Sequence, residues 1–389
     1  MEPAAMPIGP LKPFLQFKRD VGMILGGFTG RTPAPFHPRS GKHRVGISPR
    51  PFVVREVIRE TPDAVTLCLE DPTGAPISFI PGQFFTLVLS LGGEELRRAY
   101  SASSAPGGGV RLTVKRVADG RVSSYLNDHL EAGSLLRLLG PSGEFVTRGA
   151  PELVLVAGGS GITPMRSILE ACLLSAAGPK QRICLIYGNR SERDVIFQRE
   201  LQAWAERFPQ HFRYVEVLSE PEGEYAGPRS LLTRDCLASL LAEHAPAEAD
   251  FMLCGPEGML VEARAALAAH GVPKERIREE RFTQPHLRQR AADLPQVAQP
   301  VKLRLGKDSA AAEFEVAPGR TLLEAALAAG AEVPYSCAMG GCGRCKVKLL
   351  SGDVVMDEPN CLSEEERQQG FVLGCVGRPL GPCEVEVEV

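Results

Sequence analysis

Four cysteines near the C-terminus constrain this chain more than any other feature. Cys337, Cys342 and Cys345 follow one another at the spacing C-x4-C-x2-C, and Cys375 comes after 29 further residues. This spacing is typical of a [2Fe-2S] cluster, in which four thiolates hold two iron ions. A loop that turns three thiols inward needs backbone freedom, which the glycines at 340, 341 and 343 supply. The sequence therefore predicts a metal centre with these four cysteines as its ligands.

Zinc is the alternative metal for this loop, because a C-x2-C pair is common in zinc sites. Structural zinc sites usually combine two such pairs. This stretch contains only one pair. The spacing therefore favours the iron–sulfur cluster over zinc.

The rest of the composition bounds the class of protein. The chain has 389 residues, of which 44% are hydrophobic and 23% charged, with a formal net charge of -3. Such a balance indicates a globular protein of about two to three domains, and the absence of a basic stripe argues against nucleic acid as a partner. The odd number of cysteines, 11, and the lack of a secretory leader or a long apolar run predict a reducing cytoplasmic location.

The first 50 residues are predicted to form an N-terminal extension rich in proline, glycine and basic residues. Within it, residues 14–28 place apolar side chains at helical spacing. One interpretation is a short helix that packs on the protein itself. The other is a basic amphipathic helix that contacts a membrane surface, which would make the protein peripheral to a membrane.

Residues 51–150 show six short alternating segments bounded by glycine and proline, a pattern that predicts an antiparallel barrel or sandwich. The predicted strands are 52–58, 64–69, 83–89, 97–101, 110–117 and 135–139. Arg98 and Tyr100 lie in the fourth strand, and Ser123 follows a glycine turn after the fifth. A guanidinium and a hydroxyl suit a pyrophosphate, and an aromatic ring suits a flavin.

Residues 151–283 alternate buried strands with helices, which predicts a doubly wound parallel sheet. The apolar run 153–157 leads into the glycine turn 158–161 and then into a helix. Backbone amides at such a helix start can bind a dinucleotide phosphate. A second glycine motif, Gly255 to Met259, follows the strand 251–254, so both motifs fall at the carboxyl ends of strands.

Residues 284–300 are predicted to be a linker, and residues 301–389 a domain that carries the cysteine loop. This last domain is expected to contain strands at 301–305, 314–316, 346–350 and 384–389, and a helix at 321–329 that begins at Thr321 and ends at Gly330.

The motifs Arg98-Ala99-Tyr100-Ser101, Gly120-Arg121-Val122-Ser123, Gly158 to Met165 and Cys254 to Met259, in this order, resemble the ferredoxin-NADP reductase superfamily. The C-terminal cysteines make the chain similar to its three-module subgroup, which includes the reductase components of phenylacetyl-CoA epoxidase and ketosteroid hydroxylase. The resemblance implies an antiparallel β-barrel FAD domain, an α/β doubly wound nicotinamide domain and an α+β β-grasp ferredoxin domain.

The resemblance also assigns roles to residues. It implies that Tyr100, Ser101, Cys254 and Glu280 lie at the reacting flavin and nicotinamide rings, with Arg98 on the FAD pyrophosphate. Further FAD contacts would come from Val114, Lys115, Val122 and Ser123, and Phe282 would reach back towards the flavin. The nicotinamide dinucleotide would contact Gly159, Gly161, Ile162, Thr163, Pro164, Gly255, Pro256 and Met259.

The implied activity is electron transfer from NAD(P)H through FAD and the cluster to a separate oxygenase, hydroxylase or desaturase. A flavin is needed because nicotinamide gives two electrons together and the cluster accepts one. Arg190, Ser191 and Arg193 follow the second buried strand and favour the 2'-phosphate of NADPH over NADH. The alternative is a regulatory protein whose cluster reports the cellular redox state.

Overall fold

The structure is a computed structural model that describes residues 49–246, 248–282, 294–306, 311–331, 333–357 and 360–387. The predicted amphipathic segment 14–28 lies outside these residues, as does most of the predicted linker. No helix within the described residues is long and apolar enough to cross a bilayer.

The N-terminal sheet has six antiparallel strands. They are β1 (Arg50–Thr61), β2 (Ala64–Glu70), β3 (Phe84–Leu91), β4 (Glu94–Ser101), β5 (Val110–Lys115) and β6 (Leu135–Ser142). Their order is β4-β3-β6-β1-β2-β5, and an isolated bridge from Ala102 to Leu112 brings the two edges of the sheet together. Alternate side chains such as Phe52 and Phe85 fill the interior and are fully buried, as expected of a half-buried strand pattern.

One helix in this region was not predicted from the sequence. Helix α1 (Arg121–Asp128) follows Gly120, which has no side chain with which to cap it. Arg121 ties the start of the helix to the β3–β4 hairpin, since its Nη1 lies 2.7 Å from Oε2 of Glu94. The first turn of α1 therefore lies beside β4.

The second sheet has five parallel strands and is covered by helices on both faces. The strands are β7 (Glu152–Gly158), β8 (Arg182–Asn189), β9 (Phe212–Leu218), β10 (Asp250–Gly255) and β11 (Ile277–Arg281), and the helices are α2 (Ile162–Leu173), α3 (Gln198–Arg207), α4 (Arg234–His244) and α5 (Glu257–Ala269). The order β11-β10-β7-β8-β9 is that of a doubly wound sheet. Strand β7 shows why its sequence is continuously apolar: Leu155 packs in one core and Val154 in the other.

The C-terminal sheet is mixed and has the order β13-β12-β18-β14-β16. The elements are β12 (Gln299–Leu305), β13 (Ala312–Val316), α6 (Leu322–Ala328), β14 (Lys346–Ser351), β15 (Val354–Met356), α7 (Glu364–Gln368), β16 (Phe371–Leu373), β17 (Gly377–Pro379) and β18 (Cys383–Val387). Strands β12 and β18 are parallel, and α6 packs on the sheet through Leu323 and Leu327. Thr321 and Glu324 form the capping box that begins α6.

The three architectures agree with the predicted fold class. The differences lie in short or amphipathic pieces. Helices α1, α5 and α7 and strands β11, β15, β16 and β17 were not predicted, and the described part of β18 ends at Val387. The first C-terminal strand begins at Gln299, two residues earlier than predicted.

Candidate functional site

Cys337, Cys342 and Cys345 lie in the loop between α6 and β14, and Cys375 follows β16. The four sulfur atoms come together. Cys337, Cys345 and Cys375 are buried and Cys342 is exposed. Each sulfur accepts one backbone N–H, at distances of 3.1 to 3.5 Å. Amide donors of this kind stabilise thiolates and tune a bound cluster.

Two backbone features shape this loop. Gly340 and Gly343 have φ angles of 82° and 71°, a conformation that glycine adopts without strain. Ala338 has a φ of 52°, which is uncommon for a residue with a Cβ. Hydrogen bonds from Cys342 and Cys375 lower the pKa of Cys337, so the loop already favours a thiolate at this position. The donor set fits a [2Fe-2S] cluster, which the four predicted cysteines would hold.

The predicted flavin residues of the barrel lie on three neighbouring elements. Arg98, Tyr100 and Ser101 lie on β4; Val114 and Lys115 end β5; Val122 and Ser123 lie in the first turn of α1. Because Gly120 leaves that turn without a side-chain cap, the first amides of α1 can receive a phosphate. Burial raises the pKa of Tyr100, so its ring presents a neutral phenol. These groups fit the pyrophosphate and ring of a flavin dinucleotide.

The two glycine motifs of the second sheet meet each other. A Cβ on Gly161 would overlap the carbonyl of Cys254, and a Cβ on Gly158 would stand 2.7 Å from Sδ of Met259. Close approach between the end of β7 and the end of β10 therefore requires glycine at both positions. A bare turn followed by the start of α2, which contains Ile162, Thr163 and Pro164, is the arrangement that receives a dinucleotide phosphate.

The barrel and the second sheet converge at this turn. Nζ of Lys115 lies 3.7 Å from the place that a Cβ on Gly159 would occupy. Ser101 Oγ donates to Oε2 of Glu280 at 3.0 Å, and Glu280 lies opposite Cys254 in the β10–β11 register. The four residues predicted at the reacting rings thus share one region, with Tyr100 next to Ser101 on β4.

Glu280 is the most perturbed carboxyl in this region. Burial raises its pKa to about 7, and the hydrogen bond from Ser101 partly counteracts that rise. Burial also raises the pKa of Cys254. Both groups are therefore predominantly neutral in mildly acidic solution, which suits a site where two aromatic rings stack without bulk water. Phe282, two residues beyond Glu280, is exposed at 41%.

In the loop after β8, the two arginines form ion pairs with carboxylates of the same domain. Arg190 lies 3.0 Å from Oδ1 of Asp194, Ser191 Oγ donates to Asp194 at 2.9 Å, and Arg193 pairs with Glu222 at 2.9 Å. Burial raises the pKa of Asp194, but hydrogen bonds from Ser191 and Arg190 outweigh this and lower it. A 2'-phosphate would therefore compete with these two carboxylates for the arginines.

Asn189 is a candidate that the sequence analysis missed. Its side-chain Oδ1 and Nδ2 are both buried, and neither has a hydrogen-bond partner among the described residues. Buried polar atoms are almost always paired in folded proteins. Asn189 ends β8, beside the nucleotide turn, so a bound dinucleotide would supply the missing partner. The orphaned amide fits the group that the glycine motifs imply.

A second missed feature joins the cysteine loop to the barrel. Thr86 Oγ1 donates to the carbonyl of Cys337 at 3.1 Å, and Nη1 of Arg97 donates to the carbonyl of Ala338 at 3.3 Å. Arg97 also lies 3.7 Å from Glu324 of α6, and Arg344 pairs with Glu144 at 2.6 Å. Nothing in the local sequence marks these residues, because each contact spans 200 residues or more.

Three family models match successive parts of the chain. An oxidoreductase FAD-binding domain matches residues 51–147, an oxidoreductase NAD-binding domain matches residues 155–265, and a 2Fe-2S iron-sulfur cluster binding domain matches residues 306–380. Together with the site, they define the class: the chain is an NAD(P)H-dependent oxidoreductase that uses FAD and a [2Fe-2S] cluster.

Curated relatives align with this chain over almost their whole length. It is 34% identical over 345 residues to a subunit of 1,2-phenylacetyl-CoA epoxidase from Escherichia coli, with 85% of this chain and 94% of the relative aligned. It is 32% identical, with the same coverage, to the ferredoxin reductase component of 3-ketosteroid-9-alpha-monooxygenase from Rhodococcus rhodochrous. The chain belongs to this family of three-domain reductase components, within the ferredoxin-NADP reductase superfamily.

The fold is also that of a solved reductase. The chain matches phthalate dioxygenase reductase with a TM-score of 0.56 at 24% identity, covering 87% of this chain and 97% of that one. This likeness supports the three-domain architecture described above.

Proposed function

We propose that this protein takes electrons from NAD(P)H and delivers them, through FAD and then the [2Fe-2S] cluster, to a separate oxygenase, hydroxylase or desaturase. The flavin supplies the chemistry that converts a two-electron donor into two one-electron deliveries. The chain's own task is to hold the three groups in order and close to one another. The relatives named above are reductase components or subunits of oxygenase systems, which supports a terminal oxygenase as the acceptor.

The contact between the cysteine loop and the flavin strand carries this proposal. Thr86 faces Ala99 in the β3–β4 register, between the positions of Arg98 and Tyr100. Its hydrogen bond to the carbonyl of Cys337 therefore links a predicted cluster ligand to β3, the strand that pairs with β4 and its predicted flavin residues. Such a short connection suits electron transfer within one molecule.

The residues at the reacting rings would act by positioning and by keeping charge away. Tyr100 would lie against the flavin ring, and Ser101, held by Glu280, would present its hydroxyl near the ring. Cys254 lies in the fully buried end of β10 and would border the nicotinamide. The neutral state of Glu280 below about pH 7 spares the site a buried charge that would oppose the added electrons.

The test is removal of one cluster ligand, with a neighbouring cysteine as the control. In Cys345→Ser we expect the cluster absorption to disappear and NAD(P)H-driven cytochrome c reduction to fall at least about tenfold, or about 1.4 kcal/mol. Reduction of ferricyanide by the flavin should persist. Cys361→Ser, which lies outside the ligand spacing, should change neither rate.

Two outcomes would contradict the proposal. Cytochrome c reduction at the original rate by cluster-free Cys345→Ser would place the cluster off the electron path. Negligible turnover by the fully loaded parent protein would favour the redox-sensing alternative.

NADPH is the proposed donor, through Arg190, Ser191 and Arg193. Replacing both arginines by alanine should raise the KM for NADPH and leave that for NADH unchanged. If both values rise equally, or neither rises, the arginines serve only their ion pairs with Asp194 and Glu222.

A cytoplasmic location, with residues 14–28 either packed on the protein itself or in contact with a membrane surface, remains a prediction from the sequence. Flotation with liposomes that contain anionic lipid should recover the full chain and lose the variant that lacks residues 1–45. Equal, negligible recovery of both would end the membrane interpretation.

A further inference from the structure

One buried arginine has no place in the site described so far. Arg166, on α2, has a side chain that is only 2% exposed. Burying a guanidinium is costly unless it is fully paired. Glu200 receives it through two hydrogen bonds, at 2.6 and 2.7 Å, and the guanidinium carbon lies 5.1 Å and 5.5 Å from the ring centres of Phe197 and Trp204. The guanidinium is thus held in one orientation within the second domain.

The same face of α2 reaches across to the barrel. Nη1 of Arg166 donates to the carbonyl of Ser103 through a short hydrogen bond, and Ser167 Oγ donates to the carbonyl of Ser104 at 2.6 Å. Glu170 accepts from the backbone N–H of Ala105 at 2.6 Å and also pairs with Arg166 at 3.1 Å. Helix α2 therefore makes hydrogen bonds to the backbone of three consecutive barrel residues, 103–105.

This hydrogen-bonded segment lies next to the strand that carries the predicted flavin residues. Residues 103–105 follow β4, which ends at Ser101. Ser103 Oγ also lies 2.7 Å from Oγ1 of Thr113, and Thr113 precedes Val114 and Lys115 on β5. The segment is thus fixed on one side to both predicted flavin strands and on the other side to α2.

Helix α2 has the nucleotide turn at its N-terminal end. The turn ends at Gly161 and α2 begins at Ile162. Arg166 lies five positions after Gly161, which corresponds to about 7.5 Å of helix. A helix this short is rigid, so the position of the dinucleotide phosphate is tied to that of the flavin strands through a few ångströms of structure.

We propose that Arg166 is a positioning residue for hydride transfer, which sets the separation of the nicotinamide and flavin rings by fixing α2 to the segment after β4. The inference rests on the proposed function. In the reaction a hydride, with both electrons of its carbon–hydrogen bond, leaves the nicotinamide and forms a nitrogen–hydrogen bond on the flavin. The rate of such a transfer depends on the separation and alignment of donor and acceptor.

Arginine is the only side chain that meets all these contacts. Its planar fork bonds Glu200 with two nitrogens while the third nitrogen reaches Ser103, and its flat face packs against aromatic rings. Lysine carries the same charge but has a single ammonium group. Arg166→Lys therefore keeps the positive charge but removes the planar set of donors that makes these hydrogen bonds, which makes it the informative variant.

The experiment uses the holoprotein in anaerobic stopped-flow, with NADH or NADPH at saturating concentration. We expect Arg166→Lys to slow flavin bleaching by the nucleotide at least about tenfold, with the dissociation constant of the nucleotide nearly unchanged. Flavin reduction by dithionite, and the following reduction of the cluster, should keep their parental rates. The control is Arg182→Lys, at an exposed arginine that pairs with Glu152, which should change none of these.

A second variant covers the case in which Arg166→Lys does not fold. Ser167→Ala removes one hydrogen bond across the same contact and leaves the charges in place. It should slow nucleotide-driven bleaching by a smaller factor, again without affecting dithionite reduction.

The outcomes separate this inference from the proposed function. Parental hydride-transfer rates in both variants, or an equal loss in the nucleotide and dithionite reactions, would overturn a positioning role. If NAD(P)H does not reduce the flavin of the parent protein, the proposed function itself is wrong.

Discussion

Glu280 is the residue at which burial and charge conflict most clearly. Its pKa rises from 4.5 to about 7 because it is buried. In the unfolded chain the carboxyl ionises near its ordinary pKa, so raising the pH favours the unfolded state until the folded carboxyl also ionises. The stability that this residue contributes is complete below about pH 4.5 and is lost as the pH rises through about 7.

We therefore predict that Glu280→Gln removes a pH dependence. Relative to this variant, the parent protein should lose up to roughly 3 kcal/mol between about pH 4.5 and 7. Heating the flavin-loaded proteins and following flavin release measures the difference. Glu243→Gln, at an exposed carboxyl on α4, is the control. Parallel curves for the parent and Glu280→Gln would refute the assignment.

At Asn189 the buried group is a neutral amide, whose polar atoms have no hydrogen-bond partner among the described residues. An unpaired buried amide costs about 1 to 3 kcal/mol. We predict that Asn189→Leu, whose side chain has the same branching and number of heavy atoms, leaves the nucleotide-free protein at least as stable. The KM for NAD(P)H should rise about tenfold, the equivalent of about 1.4 kcal/mol. Thermal unfolding and steady-state kinetics on one preparation measure both effects, and an unchanged KM would show that the amide does not meet the nucleotide.

At the scale of elements, two glycines of the nucleotide site provide a matched pair. A Cβ on Gly161 would overlap the Cys254 carbonyl, whereas a Cβ on Gly258 would meet nothing within 4 Å. Gly161→Ala should therefore separate the ends of β7 and β10, cost about 2 to 4 kcal/mol of stability and abolish flavin reduction by NAD(P)H.

Gly258→Ala should be neutral or stabilising by up to about 1 kcal/mol, because the residue lies in the first turn of α5. Circular dichroism melts and nucleotide-driven flavin bleaching compare the two variants. Equal effects of both would mean that the contact between the two strand ends does not govern the site.

The elements that the sequence predicted best are those whose signals are local. The apolar run of β7, the glycine turn and the Thr321 that begins α6 each lie within a few neighbouring residues. Helix α1 was not predicted because it is short and follows Gly120, which has no capping side chain. The hydrogen bonds between α2 and residues 103–105 were not predicted, because the bonded residues are about 60 positions apart in sequence. The burial of Arg166 also becomes visible only in the folded chain.

At the scale of the whole molecule, the same limit applies to the cysteine loop. The spacing of its four cysteines could be read from the sequence, but the barrel residues that contact the loop could not. The linker prediction left the placement of the iron–sulfur domain open. The contacts of Thr86 and Arg97 with the loop carbonyls supply a placement against the flavin strand.

Arg97 should matter for the step between flavin and cluster. Its contacts with Ala338 and Glu324 are partly exposed, so their loss should cost roughly 1 kcal/mol of docking free energy. We predict that Arg97→Ala slows cluster reduction about fivefold and leaves flavin reduction unchanged. Added salt should slow the parent protein in the same step.

Arg137→Ala is the control, because Arg137 pairs with the same Glu95 as Arg97 but contacts no residue of the cysteine loop among the described residues. Rapid-mixing absorption measurements separate the two steps. A slower flavin step in Arg97→Ala, or the same effect in Arg137→Ala, would contradict a role in docking.

In the proposed path, electrons pass from nucleotide to flavin to cluster inside one chain. Anaerobic mixing of the holoprotein with NADPH, and separately with NADH, tests it through the visible absorption bands of the two groups. We predict that the flavin band bleaches first and the cluster band follows, with a rate for the second step that does not depend on protein concentration. Bleaching of the flavin alone, or a cluster reduction that becomes faster with protein concentration, would contradict electron transfer within one chain.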